Sequence, residues 1–163
     1  MSLHKILEGS QLALRAAAGG TLAYYFAASL GLQHPIYALV ATIIVTDFSP
    51  TETRRLGIHR LIATAIGAIC GVAFSVAVEP APWTVALGIL TPMVISHVCN
   101  ASAGAKVAGY VSAIIIFTGG TAPWHHASHR VIETVLGIVV GWVLSLIPRI
   151  IELKEPASRD IKE

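Results

Sequence analysis

The chain twice places an arginine behind a histidine at the head of an apolar stretch, as His59-Arg60 and as His129-Arg130. A guanidinium offers a rigid fork of N–H donors that matches a carboxylate, and it stays charged at physiological pH. The chemistry open to such a pair is the capture of organic anions. The plainer reading is that each arginine snorkels from a helix end to lipid headgroups. Arg15, one turn inside the first apolar stretch, and Lys106, ahead of the fifth, could line a vestibule on the same terms. Glu133 stands three residues after Arg130. It either pairs with that arginine along a helix or serves as a protonatable carboxylate for coupling to a proton gradient, and Asp47 carries the same choice. His125-His126-x-x-His129 could set two ligands on one helix face, yet no cysteine or second histidine cluster accompanies it, so no metal is expected. No phosphate-binding loop, activated nucleophile or nucleic-acid signature occurs. Neither a cofactor nor an enzymatic reaction is therefore expected.

These residues need elements to hold them. Of the 163 residues, 55% are hydrophobic and 12% charged, against about 25% charged in an average soluble domain. A soluble domain of this size requires more polar surface than that, whereas a bilayer removes the requirement. Six apolar runs, about 12–32, 35–48, 57–78, 83–98, 106–121 and 128–148, lack the alternation of barrel strands. They predict an all-α integral membrane protein of six transmembrane helices, the second of them short. A segment 1–11 precedes this module and a short charged tail, 149–163, follows it. Ser49-Pro50-Thr51-Glu52 has the form of a capping box at the start of the third helix. Trp83 and Trp124 are placed as interfacial anchors. With the amino terminus inside, Lys5, Arg15, Arg54, Arg55, Arg60, Lys106, Arg149, Lys154, Arg159 and Lys162 fall on the cytoplasmic side, and Arg130 alone falls outside. That asymmetry predicts both termini in the cytoplasm.

A repeat at an offset of 70 residues joins the chemistry to the elements. Residues 59–75 align with 129–145 at seven identical positions: His59, Arg60, Ile62, Thr64, Gly67, Gly71 and Ser75 recur as His129, Arg130, Ile132, Thr134, Gly137, Gly141 and Ser145. Polar and charged identities at one fixed offset argue against chance similarity between two glycine-rich helices. Outside this stretch the match is weak, as for Tyr37 with Tyr110. The third and sixth helices cross in opposite directions under the topology above, so the repeat predicts a 3+3 inverted architecture with its site between the halves. It also predicts Arg60 and Arg130 at opposite membrane faces, one at each mouth of a path. Gly67-x-x-x-Gly71 and Gly137-x-x-x-Gly141 would let the third and sixth helices pack together, or serve a homodimer contact. Pro92 should kink the fourth helix.

His34 to Leu39, Arg54-Arg55, His59-Arg60 with Thr64 and Gly67, and the stretch from Arg130 to Gly141 together resemble a known family. It is the membrane module of the fusaric acid resistance and aromatic acid exporter proteins. The resemblance runs from about Leu12 to Ile147, and the plant aluminium-activated malate transporters look distantly similar. It implies a six-helix module that exports or conducts organic, above all aromatic, carboxylate anions across a bacterial inner membrane. Larger members carry two such modules or a cytosolic domain, whereas this sequence has one module and a short tail. The expected partners are the anion, the bilayer and further copies in a homodimer or higher homo-oligomer, with no nucleic acid. The alternative is a non-transporting membrane module that assembles with a partner protein.

Overall fold

The structure is a computed structural model that describes residues 3–79, 81–120 and 122–147. The predicted tail, 149–163, lies outside the described residues. Six α-helices follow in order: α1 Leu3–Ser29, α2 Ile36–Val45, α3 Pro50–Ala77, α4 Pro82–Val98, α5 Ala105–Thr118 and α6 Pro123–Ser145. A single 3₁₀ turn, Ser102–Gly104, leads into α5.

Local chemistry sets the ends. Proline opens α3, α4 and α6, where its missing N–H costs nothing. Ser49 caps α3 as expected, but the capping box does not close. The Ser49 hydroxyl meets the Thr51 hydroxyl at 2.7 Å, and Glu52 turns outward to Arg55. An ion pair one turn along the helix outcompetes the backbone N–H for that carboxylate. The turns that follow α1 and α4 are built alike. Gly31, at φ +69°, sends its N–H to the Ala28 carbonyl while the Leu32 N–H reaches Ala27. Asn100, at φ +58°, does the same toward His97 while Ala101 reaches Ser96. Both are Schellman closures, which require a left-handed residue that glycine and asparagine tolerate best.

The two long helices form the centre. Arg54 and Gly57 of α3 lie against Ile138 and Trp142 of α6, whereas Ala68 and Ile69 lie against Trp124 and Ala127, so the pair is antiparallel. Each long helix takes a short one alongside. Gly67 and Gly71 bring α3 onto the backbone of α5 at Ala108 and Ser112, and Gly137 and Gly141 bring α6 onto α2 at Ala38 and Val45. The paired glycines therefore close α3 on α5 and α6 on α2, and not α3 on α6 as the repeat had suggested. The reason is steric: Gly67, Gly71 and Gly137 meet the backbone of Ala108, Ser112 and Ala38, whereas α3 and α6 meet through side chains such as Ile138 over Gly57. Over 53–64 and 123–134, positions 70 residues apart share burial, as in Gly57 and Ala127, Arg60 and Arg130, Ala63 and Glu133, and Thr64 and Thr134, whereas further along Val72 is buried and Trp142 exposed. Helix α1 packs on α2, and α4 packs on α5.

Length separates the helices into two kinds. At about 1.5 Å per residue, α3 and α6 reach past the roughly 30 Å of a hydrocarbon core, whereas α2 and α5 measure about 15 and 21 Å. The short pair starts in the middle of the bundle. The turn before α2 touches Glu133, near the midpoint of α6, and Gly104 before α5 touches Ala63, near the midpoint of α3. From there α2 and α5 run in opposite directions. The outward faces carry large apolar side chains, among them Tyr25, Ile69, Val76, Phe117 and Trp124. That is the surface of a protein solvated by lipid and not by water.

Candidate functional site

Helix starts decide where the arginines lie. Because α3 begins at Pro50, Arg60 sits about 15 Å along it, and Arg130 sits about 10 Å beyond Pro123. In an antiparallel pair these insets carry the two side chains toward each other. Both arginines reach Tyr110: an Arg60 Nη donates to its hydroxyl at 2.9 Å, and the Arg130 guanidinium carbon lies 5.6 Å from its ring centre. The Arg130 guanidinium also stacks 3.3 Å over the ring of Tyr37. The expectation of one guanidinium at each mouth is therefore corrected to a single cluster. The apolar runs begin near residues 57 and 128, and counting from them set both arginines at helix ends although the Ser49-Pro50 signal already marks the start of α3.

The cluster is buried and cationic. Arg60 and Arg130 are 4% and 5% exposed. Among the described residues neither has a carboxylate at ion-pair distance, and four of their N–H-bearing nitrogens, two on each arginine, have no protein partner. A buried guanidinium without a counter-charge is costly, and its cation–π contact with a tyrosine offsets only part of that cost. Two of them together leave unpaired donors in one buried region.

Glu133 adds one carboxylate to the Arg130 side. It is 1% exposed, and its Oε1 accepts the backbone N–H of His34 at 2.8 Å, while Oε2 has no protein partner. The expected pairing with Arg130 along the helix is thus replaced by a bond to the turn before α2, since the carboxylate lies toward that short helix. At the equivalent place on α3 stands Ala63, and a methyl group on Gly104 would lie 2.6 Å from its Cβ and 2.7 Å from the His59 carbonyl oxygen. One turn is held by a hydrogen bond and the other by close packing. His34, in the connecting turn, faces His126 of α6. The rings of His125 and His129 stand 4.4 Å apart, and those of His34 and His126 6.0 Å apart.

Other candidate residues lie elsewhere. Arg15 reaches the carbonyls of Ile147 and Asp47, at 2.5 and 3.5 Å, and ties α1 to the ends of α6 and α2. The Asp47 carboxylate accepts the Ser49 N–H at 2.9 Å and orders the turn before α3. Lys106 is exposed on the first turn of α5. Sequence reasoning assigned no role to Tyr37, Tyr110 or His34. The two tyrosines were visible as a pair, but nothing in their spacing tells that each would meet an arginine.

Six apolar helices wrapped about a buried pair of guanidiniums fit a multi-pass membrane protein, and the family that the chain matches is transport-related. The chain belongs to the fusaric acid resistance protein-like family, whose model matches residues 22–144. No curated protein and no solved structure matches the chain.

Proposed function

We propose that the chain is a transporter or channel for organic carboxylate anions, which it moves chemically unchanged, and that its two halves form a 3+3 inverted repeat. The observation that carries this reading is the pair of buried arginines, Arg60 and Arg130, gathered around Tyr110 with donors unspent. The first turns of α2 and α5 start beside the same region, and helix amino termini favour negative charge. An anion entering the bundle would exchange its water for guanidinium N–H groups, and the half-buried rings of Tyr37 and Tyr110 beside them suit an aromatic acid. Export fits the family's description, which names resistance to an acid. Arg15 and Lys106 would assist anions only at the bundle's ends, outside the cluster.

Glu133 supplies the coupling step. As a carboxylate it opposes an incoming anion beside Arg130 while holding the His34 turn. Protonated, it loses the charge and weakens its grip on that turn, so proton binding and anion binding favour each other. Both termini lie in the cytoplasm in this reading. The setting is a bacterial inner membrane and the working form is a homodimer or higher homo-oligomer, whose contact would cover part of the apolar surface.

Flux of aromatic and aliphatic carboxylates into proteoliposomes, with and without a pH gradient, tests the proposal. Arg60→Gln and Arg130→Gln should each lower flux by about tenfold or more, from the worth of hydrogen bonds to charged groups. Unchanged flux in both variants would remove the basis of the reading. Purified protein that binds no organic acid and passes none would point instead to a membrane module that works with a partner protein.

A further inference from the structure

We propose that the groove between the first half of α3 and the second half of α6 binds one anionic phospholipid, with an acyl chain in the groove and the phosphate on Arg54. The groove encloses about 310 Å³ and is lined by Gly57, Ile58 and Leu61 of α3 and by Ile138 and Trp142 of α6, with Arg54 at one end. Its size falls within the range of ligand pockets, about 300 Å³ upward. Apart from Arg54 it presents apolar walls, which suit a hydrocarbon chain and no soluble ligand.

Two comparisons single out this groove. A second groove lies 70 residues further on, between the other halves of the same two helices, and encloses about 440 Å³. There the position equivalent to Arg54 is Trp124, so that groove has the same apolar character and no cation. A third groove, of about 520 Å³ along α1 and α6, has none either. The second comparison is with the next residue. Arg55 is occupied by Glu52 through contacts of 2.6 to 3.2 Å, whereas Arg54 is exposed and has no ion pair or hydrogen bond among the described residues. An unpaired guanidinium at the mouth of an apolar slot is complementary to a phosphate that carries its own chain. This inference rests on membrane residence alone, and not on transport.

Trp142 reports on the groove directly. The full chain carrying Trp83→Phe and Trp124→Phe, both exposed positions remote from this groove, keeps Trp142 as its one tryptophan. It would be reconstituted in phosphatidylcholine vesicles containing either brominated phosphatidylglycerol or the same amount of brominated phosphatidylcholine. Bromine should quench Trp142 with about a fivefold preference for the anionic lipid, the value of one arginine near a headgroup. Arg54→Gln should abolish the preference and Arg55→Gln should leave it. Equal quenching by the two lipids, or a preference that survives Arg54→Gln, overturns the proposal. Absence of quenching by either lipid also overturns it, because a second copy or the chain's own tail would then fill the groove.

Discussion

The surroundings of Arg130 and of Arg60 occupy matching places on α6 and α3, yet they are held together by different forces. Beside Arg130, Glu133 bonds the turn before α2 and Tyr37 stacks on the guanidinium. Beside Arg60, Ala63 leaves room for Gly104, and Tyr110 contributes a hydroxyl. A hydrogen bond to a carboxylate can be broken by a proton or displaced by a competing anion, whereas a methyl group against a glycine has no such switch. One framework thus has a side held through a carboxylate and a side held by close packing, and the exchanges of Glu133 for Ala63 and of His34 for Gly104 separate them.

The strongest way to break this comparison uses the arginines. Both glutamine variants should lose flux, but Arg130→Gln leaves the buried Glu133 without its neighbouring cation. Adding Glu133→Gln should therefore restore part of the flux of Arg130→Gln and none of that of Arg60→Gln. Equal rescue of both would mean that the two sides are electrically alike. Next comes the turn before α2. Glu133→Ala should speed hydrogen exchange at the His34 amide by about tenfold, the worth of one bond to a charged acceptor, while Glu133→Gln, which keeps an oxygen there, should change it less. Matching exchange rates in the two variants would show that the bond does not hold the turn.

Smaller effects sharpen the likeness between the halves. A methyl group at Gly67 or at Gly137 meets the backbone of Ala108 or Ala38, and each substitution to alanine should cost about 1–3 kcal/mol in a detergent unfolding titration. Costs that differ widely would argue against equivalent interfaces. The smallest effect concerns the tyrosines. Tyr110→Phe removes the acceptor of Arg60 and should weaken anion binding by about fivefold, or roughly 1 kcal/mol. Tyr37→Phe keeps the ring over Arg130 and should leave binding almost unchanged, a contrast that calorimetry with a carboxylate ligand can read.

Much of the framework was legible before any coordinates. The apolar runs located all six helices, because each needs a sustained stretch that neither strand alternation nor a soluble surface would produce. Pro50 stands at the first position of α3, as a residue without an N–H should. Less legible was where a helix begins relative to its apolar run. The start of α3 at Pro50 was marked by its capping signal, but the Pro-Trp-His-His-Ala-Ser segment that opens α6 is one that hydropathy discounts, and depth was counted from the apolar runs in both. That misjudgement put Arg60 and Arg130 at the ends of helices when they lie well inside them.

Residue types alone therefore determined that this chain has six apolar helices, that residues 59–75 and 129–145 correspond, and that two arginines share equivalent positions on them. Only the tertiary structure decided that the glycines face the short helices, that both arginines converge on Tyr110, and that Glu133 turns to His34. The division has a physical origin. Hydropathy, capping and repetition are written along the chain, within a few residues of where they act. The meeting of Arg60 with Tyr110 and of Glu133 with His34 spans 50 and 99 residues, and depends on how far each helix slides along its neighbour before backbone and side chains come to rest.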